Sequence, residues 1–113
     1  MESILLSIKK LLGITADYTH FDDDIIIHIN SVMMILRQLG IGPVTGFHIT
    51  DSSQTWNEYL PNIELLESVK SYIYLKVRLL FDPPVGSVLE SINNQIKELE
   101  WRFTVEADTL NNS

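Results

Sequence analysis

The chain has 113 residues, which suits one domain, and a domain of this size buries about two thirds of the surface its unfolded chain exposes. Its apolar content of 45% supports a core without staples, and the lack of cysteine excludes disulfides and thiolate zinc sites. Eight basic against fifteen acidic residues leave a net charge of −7. That balance argues against a protein that grips duplex DNA, because clustered Lys and Arg supply most phosphate affinity. It suits one past which nucleic acid slides, since like charges repel.

The opening residues, MESILLSIKKLLGI, have no basic segment before their apolar part and are interrupted by Lys9-Lys10. No cleavage pattern follows, so they read as a helix and not a targeting signal. A short amphipathic helix is expected over Glu2 to Leu12, with Ile4, Leu5, Ile8, Leu11 and Leu12 on one face and Lys9 and Lys10 turned away. Gly13 stops it, and Ile14 to His20 is a polar connector.

Asp22-Asp23-Asp24 opens a second helix, where first-turn acids interact favourably with the N-terminal dipole. Ile25, Ile29, Val32, Leu36 and Leu39 form its stripe, widened by Ile26 and Met33; Gly40 ends it and Gly42-Pro43 prevents its resumption. Residues 40–62 are an irregular insertion of the kind that often serves as a functional surface. Within it Phe47-His48-Ile49 is expected as a short strand, and Thr55 to Leu60 as one helical turn before Pro61.

The third long helix runs from Asn62 or Ile63 to Phe81. Val69, Ile73, Val77 and Leu80 make one apolar face and Tyr72, Leu75 and Leu79 a second, which makes this the central helix with neighbours on both sides. Lys70, Lys76 and Arg78 interrupt it, so it does not read as a membrane span, and the chain reads as soluble and intracellular. Asp82-Pro83-Pro84 terminates it. Ser87 to Glu90 fits the capping-box pattern S-x-x-E at the start of the last helix, whose stripe is Leu89, Ile92, Ile96, Leu99 and Phe103. After Phe103 the pattern fades.

The expected architecture is therefore mainly α: a small bundle of about four helices with a loop and short-strand insertion between helices 2 and 3. Residues 1–104 form a single helical domain and 105–113 a flexible C-terminal tail.

Little in this chain points to catalysis. Of His20, Asp22, Asp23, Asp24 and His28, only Asp24 and His28 share a helical face, and the acids already serve the helix start, so no metal site is expected. His48, Asp51, Ser52 and Ser53 hold the residue types of a hydrolase triad but sit in one turn, where they are better explained as turn formers. No enzyme activity and no cofactor are expected. The aromatic residues Phe47, Trp56, Tyr59, Trp101 and Phe103 are the candidate interface residues, because aromatic side chains are enriched at binding hot spots.

The run YIYLKVRLLFDPPVGSVLESINNQIKELEWRF resembles the head–tail connector (adaptor) proteins of tailed bacteriophages and prophages. FDDDIIIHINSVMMILRQLGIGP, followed by Phe47, Asp51-Ser52 and Thr55-Trp56, is similar to the helix-and-insertion part of the same family. The resemblance covers about residues 1 to 104. It implies a non-enzymatic structural protein of the virion neck, assembled in the bacterial cytoplasm. Such proteins form a ring with copies of themselves, commonly of about twelve subunits, under the portal protein. They extend the DNA channel without reading sequence or touching membrane, and dock a stopper or tail-completion protein. The alternative is a small acidic phage-encoded regulator or DNA mimic that occupies a basic site on a host protein.

Overall fold

A computed structural model describes residues 2–111, with side chains to Asp108. Five helices are present: α1 (Ile4–Leu11), α2 (Asp22–Gln38), the single turn α3 (Trp56–Tyr59), α4 (Ile63–Phe81) and α5 (Gly86–Asn111). They form a mainly helical bundle only 20 Å thick, two helix layers deep. Among the described residues there is no strand, and no helix is long and apolar enough to cross a membrane.

The centre is α4. Val69, Ile73 and Val77 are fully buried on one side and Tyr72 and Leu75 on the other, and α1, α2 and α5 all pack against it. The Phe21 and Phe81 rings meet edge to face at 5.2 Å, which places the start of α2 at the end of α4. Tyr72 and Phe103 meet the same way at 5.4 Å, and the Tyr72 hydroxyl donates to the Glu100 carboxylate at 2.6 Å. These contacts hold α5 antiparallel to α4 after the short Asp82–Val85 link. At the far end of α5, Ala107 approaches Gly40 so closely that a Cβ on Gly40 would stand 2.8 Å from the Ala107 Cβ.

Several local expectations are corrected. Lys9 does not face away: its side chain is fully buried, and its ammonium donates to the carbonyls of Ala16 and Tyr18 at 3.2 and 2.8 Å. The connector 14–20 curls over the end of α1 and supplies those acceptors. Lys10 is exposed as expected, whereas Leu11 and Leu80 are more than half exposed because their stripes outrun their partners.

Phe47-His48-Ile49 is not a strand. The Asn30 side chain takes the place of a neighbouring strand: its Oδ1 accepts from the Ile49 N–H at 2.7 Å and its Nδ2 donates to the Ile49 carbonyl at 2.9 Å. Helix α5 starts at Gly86, so Ser87 lies within its first turn and does not cap it. The capping box sits instead at Thr55 and Glu58, whose carboxylate accepts from the Thr55 N–H at 3.0 Å.

The expected tail at 105–113 falls partly outside the described residues. Through Asn111 the backbone is helical, and Ala107 is buried against the end of α2.

Candidate interaction surface

The insertion between α2 and α4 is folded down onto the bundle. Ser3 and Thr55 form an isolated antiparallel bridge, with Ile4 N–H donating to the Gln54 carbonyl at 3.0 Å and Trp56 N–H to the Glu2 carbonyl at 3.2 Å. This seam carries the Trp56 indole inward, where it is buried and donates from Nε1 to Ser7 Oγ at 3.0 Å. Lys70 Nζ caps the same ring 5.5 Å from its centroid and is held by Glu2 at 3.4 Å and Glu67 at 3.8 Å. The Ser7 hydroxyl also donates to Glu2, and that bond, followed by the Lys70 charge, holds the Glu2 carboxyl below the usual carboxylate range.

Tyr59 is buried beside Gly42, its ring tilted on the half-buried Phe47 at 5.2 Å. Its hydroxyl has no hydrogen-bond partner among the described residues, and burial pushes its pKa up. Gly42 is required here twice: its φ is +92°, and an added Cβ would stand 3.0 Å from the Tyr59 ring.

His48, Asp51 and Ser53 make no relay. The Asp51 carboxylate accepts from the Ser53 N–H at 2.7 Å, an Asx turn, and its hydrogen bonds from Ser53 hold its pKa low. Among the described residues no group of three or more His, Asp or Glu side chains converges to hold a metal ion.

Of the five aromatic candidates, Trp56, Tyr59 and Phe103 are core side chains and Phe47 packs half-buried on the insertion. Trp101 stands apart. It is 67% exposed on the outer face of α5, one turn before the exposed Val105. The structure therefore divides the candidates between a cluster under the insertion and one projecting indole on α5.

A second exposed apolar surface was not foreseen from sequence. Ile27 and Met34 project from α2 and Leu80 from α4, at 61%, 62% and 54% exposure. Beside Leu80 a groove of about 410 Å³ runs between α2 and α4, lined also by His28, Val32, Ile35, Lys76 and Leu79, whereas Met34 lines a different pocket with Arg37 and residues 45–48. Helix α5 does not line the groove; α5 comes close to Gly40, just past the other end of α2, through Ala107. The sequence signal was present: Ile27 and Met34 are seven apart, and two turns of helix return them to one face, away from the buried stripe.

The chain is an acidic helical domain with apolar side chains left outside its core. The chain matches the family model described as phage connector protein over residues 4–109. No curated protein and no solved structure matches it. The family match begins in the first turn of α1 and ends within the last turns of α5, so this chain belongs to the phage connector family and is a structural connector of the phage particle.

Proposed function

We propose that the protein is a neck adaptor: copies of it form a ring of about twelve subunits under the portal, extend the DNA channel, and offer a docking surface to a stopper or tail-completion protein. The observation that carries this reading is the placement of exposed apolar side chains. Trp101 on α5, Leu80 on α4 beside the α2/α4 groove, and Ile27 and Met34 on α2 are exposed on different elements. A subunit in a closed ring needs two such different surfaces, because each neighbour is met through a different face. The net charge of −7 supports the channel role, since a lining that repels phosphate lets DNA pass. Assembly takes place in the host cytoplasm, onto a portal already fixed in the capsid.

Co-expression with the portal protein of the same phage, followed by electron microscopy, tests this. The expected result is a ring of this protein stacked on the portal ring. A protein that stays monomeric and binds no portal, yet captures a nucleic-acid enzyme of the host, would instead be the acidic regulator.

A further inference from the structure

We propose that the free protein is a two-fold dimer in which the outer face of α2 packs antiparallel on the same face of a second copy. This concerns the chain before it meets a portal and stands apart from the ring reading. Asp23, Ile27, Asn30, Met34 and Arg37 follow one another at spacings of four, three, four and three, which makes one stripe along α2, away from the buried Ile25, Ile29, Val32 and Leu36. Ile27 and Met34 are its exposed apolar members, at 61% and 62%. Reversing the stripe lays Ile27 on Met34 and Asp23 on Arg37. Two copies related by an axis beside Asn30 therefore set apolar on apolar and acid on base at both ends. Next to Met34 lies a recess of about 380 Å³, lined also by Asn30, Met33, Arg37 and the insertion residues 45–48, and it receives Ile27 of the other copy. The two methionines adapt their shape to such a side chain.

Charge selects the second copy and its direction. Asp23, Asp24 and Arg37 are exposed and make no ion pair among the described residues. The Arg37 guanidinium is nonetheless held in place: its Nε donates to the Val44 carbonyl at 2.9 Å, which leaves both terminal nitrogens for a carboxylate. Asp23 and Arg37 are fourteen residues apart, about 21 Å along the helix. In an antiparallel pair each acid meets a base, and the like charges of the two copies stand about 21 Å from one another, well beyond the ~8 Å Debye length. A parallel pair would stack acid on acid and base on base. Asp24 lies on the other flank of the stripe, across from Gln38 of the second copy, whose amide is a donor. The polar side chains at the crossing need no water: Asn30 already holds the N–H and carbonyl of Ile49, and the Ser31 hydroxyl donates to the Ile27 carbonyl at 3.0 Å. A net charge of −7 opposes self-association, so it is favoured at a face that pairs acid with base. The contact is isologous and closes at two copies. It keeps free subunits in pairs, which assembly on a portal has to open.

Sedimentation of the free protein across the micromolar range tests this. The wild type is expected to dimerise. Ile27→Ser removes an exposed side chain that counts twice in the pair, and should weaken association at least about thirtyfold. Asp23→Arg and Arg37→Asp each set like charges together and should be monomeric. The double variant Asp23→Arg/Arg37→Asp restores opposite charges at both ends and should dimerise again. So should an equimolar mixture of the two single variants, because one then carries two bases where the other carries two acids. Thermal melts establish that each variant folds, and this restored association is a gain that misfolding does not produce. A wild type that stays monomeric, single variants that dimerise as well as the wild type, or a charge reversal that restores nothing would overturn the proposal. A wild type that goes past the dimer to rings with no portal present would also overturn it, and the ring reading would stand. A dimer that responds to the substitutions as expected but forms no ring on the portal would uphold it, and the ring reading would fall.

Discussion

Lys9 and Asp22 form an ion pair, Nζ to Oδ1 2.8 Å, in which the ammonium is fully buried and the carboxylate keeps partial access to water. Together with the Ala16 and Tyr18 carbonyls, the pair ties the end of α1, the connector and the first turn of α2 to one point. The ammonium is also the only partner of that carboxylate oxygen among the described residues.

This asymmetry predicts unequal costs. Asp22→Ala leaves a buried ammonium with two carbonyls and no countercharge, and should lose about 3 kcal/mol of stability. Lys9→Met fills the space with an apolar side chain and leaves a carboxylate that keeps partial access to water although its Oδ1 is buried, so it should cost less. Urea denaturation of the two variants measures the difference, and equal costs would show that burial of the ammonium does not govern the energetics of the pair.

Gly40 combines a φ of +90° with the approach to Ala107, whereas Gly13, at φ +82°, has nothing within 4 Å of an added Cβ. Gly13→Ala should therefore cost only the left-handed backbone penalty, about 1–2 kcal/mol. Gly40→Ala should cost a further 1–3 kcal/mol, roughly, for overpacking against α5. Ala107→Gly in the Gly40→Ala background should recover part of that increment, which a double-mutant cycle of thermal melts reads directly.

Burial, then the Glu100 hydrogen bond and charge, raises the Tyr72 pKa, and burial raises that of Tyr59. With the folded pKa above the unfolded value, both phenols contribute stability that is complete below about pH 10, where the unfolded chain's tyrosines titrate. Above that pH the unfolded state loses protons that the folded state keeps, so stability falls as pH rises. Tyr72→Phe should lose about 1.5–3 kcal/mol at neutral pH, the worth of a hydrogen bond to a charged group, and flatten the alkaline decline. Chemical denaturation across the alkaline range checks both.

Phe103 and Trp101 lie two residues apart on α5 with opposite environments. Phe103→Ala should cost about 3–5 kcal/mol, because it opens a cavity against Tyr72. Trp101→Ala should change monomer stability by less than about 0.5 kcal/mol. If the Trp101 variant melted as early as the Phe103 variant, the indole would be a core residue and not an exposed one.

Asn30 gives the cleanest local test of the insertion. Asn30→Asp keeps the acceptor for the Ile49 N–H and replaces the donor to its carbonyl by a second acceptor. The Ile49 amide should remain protected from hydrogen exchange while global stability drops by about 1–3 kcal/mol, the cost of a partly buried carbonyl left without a donor.

Where apolar periodicity ran uninterrupted, the element was readable from the chain alone. The stripe from Ile25 to Leu36 and the two faces of 69–77 placed α2 and α4, and Asp82-Pro83-Pro84 placed the end of α4 at Phe81, because a proline forbids the helical conformation of its neighbour and offers no N–H. The same patterned run and its break carried the connector resemblance that the family match bears out.

Side-chain destinations were less legible wherever a distant segment supplied the partner. Periodicity turned Lys9 outward, but carbonyls seven and nine residues later drew it in. A short apolar run suggested a strand at 47–49, but the neighbour that satisfies Ile49 is an amide side chain 19 residues earlier. Aromatic content marked five candidate contact residues, yet burial separated Phe103 from Trp101. Helix identity and order, and the terminations of α2 and α4, were written in the chain, since these depend on residues within a turn or two of each other, whereas α5 runs past its local stripe to Asn111. The aromatic side chains left outside, and the groove opened beside Leu80, came from packing between distant segments: α5 meets α2 at Gly40 and Ala107, and no local pattern records where two helices part.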